Sequence, residues 1–225
     1  IPDYLQKMVD NEWLGQKSKQ GFYKKIDKGV IHSIDLNTLE YTPQNKKRYA
    51  GVRLAKENVQ LKDRLKALAY SDDPAGEFVW EVTAKALLYA SNCLGEIADD
   101  IVNIDRAMRW GFGWELGPFE AWDAIGVTKS IERMKGENKK VPQWITEMLD
   151  AGHTSFYSRL EGFNCYWDVN KKDYLPIPTS QKELRFSNFK YNGSLIENHW
   201  SASLIDLGDG VAGIDFHSGL QAQLN

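Results

Sequence analysis

The sequence holds only two cysteines, Cys93 and Cys165, among 225 residues. Each stands beside hydrophobic residues and neither belongs to a CxxC pair, so the usual grounds for a zinc or thiol-redox site are missing, and a reducing, cytoplasmic compartment fits best. Charge of one sign is also lacking. The 28 basic and 31 acidic residues are spread along the chain and leave a net charge of -3, no electrostatic footprint for nucleic acid or an anionic membrane. No apolar run escapes interruption by charge long enough to span a bilayer. The start, Ile1-Pro2-Asp3, resembles neither a signal peptide nor an initiator Met, so we expect a processed chain or a fragment. His32, His153, His199 and His217 lie far apart, without partners at metal-ligand spacing, and no metal site is expected. What the chain does have is a 42% hydrophobic content, enough for one or two domains with cores.

Comparing the chain with itself reveals a match between Ile1 through Asp10 and Val141 through Asp150, with Pro, Met and Asp identical and apolar positions aligned. Each reads as a short helix with Pro near its first turn. The correspondence continues from Phe22-Tyr23 to Phe156-Tyr157, from Asp35-Leu36-Asn37 to Asp168-Val169-Asn170, and from Tyr41 and Pro43 to Tyr174 and Pro176. The spacing is too long for a solenoid, so a duplicated domain whose first copy lacks its beginning is the expectation.

Residues 21–34 alternate around Lys28-Gly29, a turn between two short strands. Residues 46–72 read as connecting helices. Asp73-Pro74 then starts a new unit as an N-cap followed by Pro at the first helical position. Phe78 to Leu94 is almost uniformly apolar, the pattern of a helix buried on most sides. Ile97, Ile101, Ile104 and Met108 recur at helical spacing, with Asp99, Asp100, Asp105 and Arg106 assigned to the surface. Gly126 and Gly136 punctuate two shorter helices. Residues 171–199 are polar and read as a linker with one short strand around Phe186 to Tyr191. Two apolar runs, Ala202–Leu207 and Val211–Phe216, flank Gly208-Asp209-Gly210 as a hairpin.

Gly208, Gly210 and Gly213 satisfy GxGxxG, but a dinucleotide site needs a helix after the glycines, and a strand pattern follows. Gly111, Gly113 and Gly117 follow a helix and suit a chain reversal before Pro118. Asp99 and Asp100 are adjacent, so on a helix they diverge and serve better as a helix start or solvated face than as a pair. Trp110, Trp114 and Trp122 read more readily as core than as a binding platform.

Two runs then carry a family resemblance. Leu14-Gly15-Gln16-Lys17-Ser18-Lys19-Gln20-Gly21-Phe22-Tyr23 resembles the LGxKxxxGFY run closing the C-terminal helical domain of 3-hydroxyacyl-CoA dehydrogenases, and Asn103 through Asp123 resembles that domain's IDRAMRxGFGxxxGPFxxxD. Residues 202–218 look like the first hairpin of a crotonase (enoyl-CoA hydratase) domain, although Gly219-Leu220-Gln221 departs from the Lys-x-Asn usual there.

The resemblance implies a mainly α fold: a duplicated helical 3-hydroxyacyl-CoA dehydrogenase C-terminal domain, first copy truncated, with short β-hairpins. The expected organisation is residues 1–45 as the end of the first copy, 46–72 as connecting helices, 73–170 as the second copy, 171–199 as linker and 200–225 as a truncated crotonase-like domain. It implies a parent multifunctional enzyme of fatty-acid β-oxidation that oxidises 3-hydroxyacyl-CoA with NAD, in which this region forms part of the acyl-CoA cleft and a dimerisation surface. Its partners would be the acyl-CoA substrate, an upstream NAD-binding domain, a downstream crotonase domain and a second copy. The family's catalytic His, Glu and Asn would lie before Ile1 and the crotonase groups after Asn225. No catalytic, cofactor-binding or metal-binding residue is therefore expected in this chain, which should be inactive and bind no NAD alone. The competing reading is a non-catalytic scaffold in a multifunctional enzyme whose working activity is enoyl-CoA hydratase.

Overall fold

The computed structural model describes residues 1–160, 163–178, 184 and 186–217. The chain divides into two compact units, Ile1–Arg48 and Tyr49–Asn225.

In the first unit, α1 (Asp3–Asp10) leaves Pro2 as its N-cap and buries Met8. A single 3-10 turn, Gln16–Ser18, leads to an antiparallel sheet of β1 (Tyr23–Asp27), β2 (Val30–Ile34) and β3 (Tyr41–Pro43). The expected Lys28-Gly29 turn joins β1 and β2, with Gly29 at φ +80°, a conformation glycine adopts without strain. The Tyr41 hydroxyl donates to the Gly21 carbonyl at 2.6 Å, and its ring lies 5.7 Å from that of Trp13.

The second unit begins with α2 (Ala50–Glu57) and α3 (Leu61–Ala69). The Asp73 side chain accepts from the Gly76 N–H at 2.9 Å, capping α4 (Pro74–Asn92) with Pro at N1 as the sequence predicts. Asp100 caps α5 (Ile101–Phe112) the same way, accepting from the Asn103 N–H at 2.7 Å. Then follow α6 (Pro118–Ile125), α7 (Val127–Gly136) and α8 (Gln143–Asp150). A second antiparallel sheet orders β4 (Tyr157–Leu160), β5 (Phe163–Asp168) and β6 (Asp173–Pro176). Beyond it come α9 (Phe186–Tyr191) and a third sheet of β7 (Leu195–Asn198), β8 (Ala202–Gly208) and β9 (Val211–Phe216).

The main core joins α4 to α8 with the second sheet. Phe119, Trp122 and Phe156 are fully buried at its centre, their rings 5.1 to 6.5 Å apart, and Trp122 Nε1 donates to Ser130 Oγ at 2.6 Å. Pairing that indole N–H is what lets so large a ring be buried without a desolvation penalty.

The expected fold class does not hold. Among the described residues the chain is 43% helical and carries three separate antiparallel sheets, so it mixes helix and sheet instead of being mainly α. A duplicated helical domain is not supported either. The first unit has, among the described residues, one eight-residue α-helix and one sheet, with no counterparts of α4 to α7. The matched residues are a Pro at helix entry, a buried Met and aromatic strand positions, which any short helix running into a meander would use.

Three local expectations also change. Phe186–Tyr191 is a helix, and the stretch read as a linker contributes β6 and β7 to two sheets. Trp122 is core, but Trp110 and Trp114 are 77% and 43% exposed. The outer face of α4 is open. The hairpin at Gly208-Asp209-Gly210 is present, whereas Gly219-Leu220-Gln221 lies outside the described residues.

Candidate functional site

A cavity of about 740 Å³ opens where α3, α5, α6, β4 and β5 converge in the second unit. Two carboxylates belong to its lining, Asp105 buried and Asp123 partly buried. Asp105, on α5, sits at the start of α6: its Oδ1 accepts from the Phe119 N–H at 2.8 Å and its Oδ2 from the Glu120 N–H at 3.0 Å. It thus supplies the negative charge that a helix N-terminus favours. This approach requires glycine at position 117, where an added Cβ would lie 2.3 Å from Asp105 Cβ and Cγ. The Gly117 N–H instead donates to Glu120 Oε2 at 2.8 Å, and Glu120 Oε1 holds Arg109 at 3.0 Å.

Asp123, one helix turn further along α6, ties it to the sheet by accepting from the N–H groups of Phe156 at 2.7 Å and Tyr157 at 2.8 Å. The Tyr157 hydroxyl closes the network, donating to Asp105 Oδ2 at 2.9 Å. Two carboxylates and one phenol therefore join α5, α6 and β4.

Burial sets the electrostatics. It raises Asp105 to about 6 and Asp123 to about 7, against the backbone hydrogen bonds that favour both carboxylates, and repulsion from Asp105 adds to the rise at Asp123. Burial, then the Asp105 charge, holds the Tyr157 phenol far above its usual range, so it remains a donor. Lys62, Arg106 and Arg109 line the same cavity, and Arg106 stacks 5.5 Å from the exposed Trp110 ring. The result is a polar concavity with a rigid, hydrogen-bonded floor and cationic side chains within it.

The sequence reading placed Asp105 on the surface, yet it is 2% exposed. It lies four residues after Ile101 and three before Met108, on the stripe facing the core, and that spacing was the signal available. The histidines are not brought together as a site. His153 packs against Trp167 and Tyr174 at 4.6 and 5.3 Å, while His217 Nε2 lies 3.0 Å from Ser203 Oγ. His32 belongs to the first unit. Among the described residues no group of three or more His, Cys, Asp or Glu is placed to hold a metal ion, and no helix is long and apolar enough to cross a membrane.

The residues of this centre are also where the chain meets known proteins. Residues 78–162, which begin within α4, match the family described as 3-hydroxyacyl-CoA dehydrogenase, C-terminal domain. Over 218 residues, 97% of its length, the chain is 44% identical to a protein of Bacillus subtilis (strain 168) named as a probable 3-hydroxyacyl-CoA dehydrogenase, of which it covers 27%. Proteins of Rickettsia felis and Rickettsia prowazekii, named as fatty acid oxidation complex trifunctional enzymes, are 29% and 26% identical over 119 residues, 52% of this chain and 15% of each relative. The chain thus spans about a quarter of the Bacillus relative's length and less of the others. No solved structure matches it.

Neither glycine cluster leaves open the helix N-terminus that cradles a dinucleotide pyrophosphate. Gly208 and Gly210 form the β8–β9 turn and a strand follows them, so no helix N-terminus faces a pyrophosphate. At α6 the N-terminal N–H groups beyond Gly117 are already taken by Asp105.

Proposed function

We propose that this chain is a portion of an NAD-dependent 3-hydroxyacyl-CoA dehydrogenase that oxidises 3-hydroxyacyl-CoA to 3-oxoacyl-CoA in fatty-acid β-oxidation, and that residues 73–170 form a wall of its acyl-CoA cleft. The observation carrying this reading is that the family match at residues 78–162 falls on the segment building most of the cavity. NAD and the groups that move the hydroxyl proton would be held by other parts of the longer polypeptide. Here Lys62, Arg106 and Arg109 offer positive charge to a phosphate-bearing substrate. The Asp105–Tyr157–Asp123 network keeps the wall in one geometry, so that substrate is oriented and water excluded without reorganisation.

The test uses the full-length parent enzyme and follows nicotinamide absorbance with 3-hydroxyacyl-CoA. Replacing Lys62 and Arg106 with Ala together should raise KM for the acyl-CoA with little change in kcat, the signature of lost uniform binding. Unchanged kinetics would remove the cleft-wall role. If the intact parent hydrates enoyl-CoA but never reduces NAD, the reading of this region as a non-catalytic scaffold takes its place.

A further inference from the structure

The cavity between α3, α5, α6, β4 and β5 carries an aromatic ring that neither the hydrogen-bonded network nor the core uses. Trp110 lines it and is 77% exposed, with the Arg106 guanidinium 5.5 Å from the ring centroid, one turn earlier on α5. Trp110 occupies the unspecified position of the IDRAMRxGFG run, so the family resemblance alone does not supply it. An indole left in water forfeits the burial that large aromatics ordinarily provide, and an open ring face beside a cation is the arrangement that stacks a nucleobase.

The cations around the ring differ in what they have left to bind. Arg109 is paired with Glu120 at 3.0 Å. Arg106 instead donates from Nη2 to the Pro178 carbonyl at 3.1 Å, which fixes the guanidinium without cancelling its charge. Lys62 meets Asp123 through space but forms no ion pair among the described residues. The floor opposes an anion weakly, because Asp105 and Asp123 turn their oxygens to backbone N–H groups and burial favours their neutral forms. A fatty-acyl chain is the wrong occupant. Covering Lys62 and Arg106 with hydrocarbon would strip water from two cations and return no partner.

We propose that this cavity holds the adenosine 3′,5′-bisphosphate end of CoA, the adenine stacked on Trp110 and the phosphates taken by Arg106 and Lys62. The assignment rests on the acyl-CoA reading above and orients the substrate: the pantetheine arm and acyl chain lead out of the cavity, toward the parts of the longer polypeptide that would carry the chemistry. Arg106 serves twice, because a planar guanidinium both packs on an indole and offers paired N–H donors to a phosphate, which an ammonium cannot do. The volume of about 740 Å³ lies within the roughly 300–1,000 Å³ of sites that bury a ligand of this size. CoA carries a phosphate on its adenosine ribose that NAD lacks, and two unpaired cations favour the more highly charged nucleotide.

Calorimetric titration of the full 225-residue chain with separate pieces of the substrate tests the proposal. Adenosine 3′,5′-bisphosphate and CoA should bind with similar constants, on the order of 0.1–1 mM for a chain that supplies only one wall. Pantetheine and NAD should show no saturable binding in the same range. Trp110→Ala should weaken the bisphosphate about tenfold or more, and Trp110→Phe should restore most of the loss. Phe112→Ala, removing a comparably exposed ring of α5 outside the cavity lining, should change nothing. Added salt should weaken the wild type more than Arg106→Ala. A bisphosphate that fails to saturate, binds alike to wild type and Trp110→Ala, loses as much in Phe112→Ala, or is matched by NAD overturns the proposal. Pantetheine binding without the bisphosphate also overturns it while leaving the cleft wall in place. Bisphosphate binding together with unchanged acyl-CoA kinetics in the Lys62 and Arg106 double variant of the parent would instead remove the cleft-wall role and leave the nucleotide site standing.

Discussion

Replacing Asp123 with Ala tests how the buried network divides hydrogen bonding from charge. The carboxylate accepts the N–H groups of Phe156 and Tyr157 at 2.7 and 2.8 Å, and orphaning these partly buried donors costs at most about 1–3 kcal/mol each. Against that, burial holds Asp123 at about 7, where an ordinary aspartate lies at 3.8, so the ionised form is disfavoured in the fold. Between those two values the folded chain binds more protons than the unfolded one, and the stability this group contributes falls as pH rises through the window. At about 1.36 kcal/mol per pH unit the full loss is roughly 4 kcal/mol, of which roughly 2–3 falls between about pH 5 and about pH 8. The alanine variant escapes that loss. Its deficit relative to wild type should therefore be largest near pH 5 and shrink by roughly 2–3 kcal/mol by pH 8. Denaturant melts followed by tryptophan fluorescence suit the measurement, because seven of the eight tryptophans lie in the second unit. Asp105 repels Asp123, so the midpoint of the wild-type change belongs to the pair. A deficit that is constant or grows with pH would show that the hydrogen bonds dominate and that Asp123 is ionised at little cost.

Phe119→Ala should destabilise the second unit by about 3–5 kcal/mol, since the ring is fully buried among Trp122, Trp144 and Phe156; an unchanged thermal midpoint would contradict that packing. Gly117→Ala should cost about 1–3 kcal/mol, because its Cβ would lie 2.5 Å from Asp105 Cα, backbone that cannot swing aside; a stability equal to wild type would mean that α5 and α6 are free to separate. The 225-residue chain alone should neither oxidise 3-hydroxyacyl-CoA with NAD nor hydrate enoyl-CoA, and a saturable NAD site in calorimetry would refute the reading of both glycine clusters.

The elements legible in the sequence are those whose causes are local. Asp73 and Asp100 cap the helices that follow them, and Lys28-Gly29 and Gly208-Asp209-Gly210 turn their hairpins, because each decision rests on a few neighbouring residues. Residues 171–199 misled for the complementary reason. Their polar composition and prolines read as linker, yet Tyr174 donates its hydroxyl proton to the Ser155 carbonyl 19 residues away, and β7 gains its place by pairing with β8. Phe186 and Phe189 are spaced by three, and the helix they belong to packs on the third sheet, a context no six-residue window contains. The internal match failed similarly: a local pattern of Pro, Met and aromatics was extended to a whole domain.

The candidate site escaped for a different reason, the presumption that an aspartate on an amphipathic helix belongs to its solvated face. At Asp105 that presumption competes with position, and position wins because the donors are supplied from outside α5: backbone N–H groups in the first turn of α6 and the Tyr157 hydroxyl on the strand β4. A carboxylate can replace the water it loses only when several such donors converge, and convergence here depends on Gly117 allowing α6 to begin directly over Asp105. The glycine in the Gly117-Pro118-Phe119 run and the aspartate twelve residues before it are thus one feature, and reading them as a chain reversal and a surface charge separates what the fold joins. The same argument extends to Asp123, whose two donors come from Phe156 and Tyr157 more than thirty residues downstream. Buried charge is specified by where the donors arrive, and only tertiary structure supplies that.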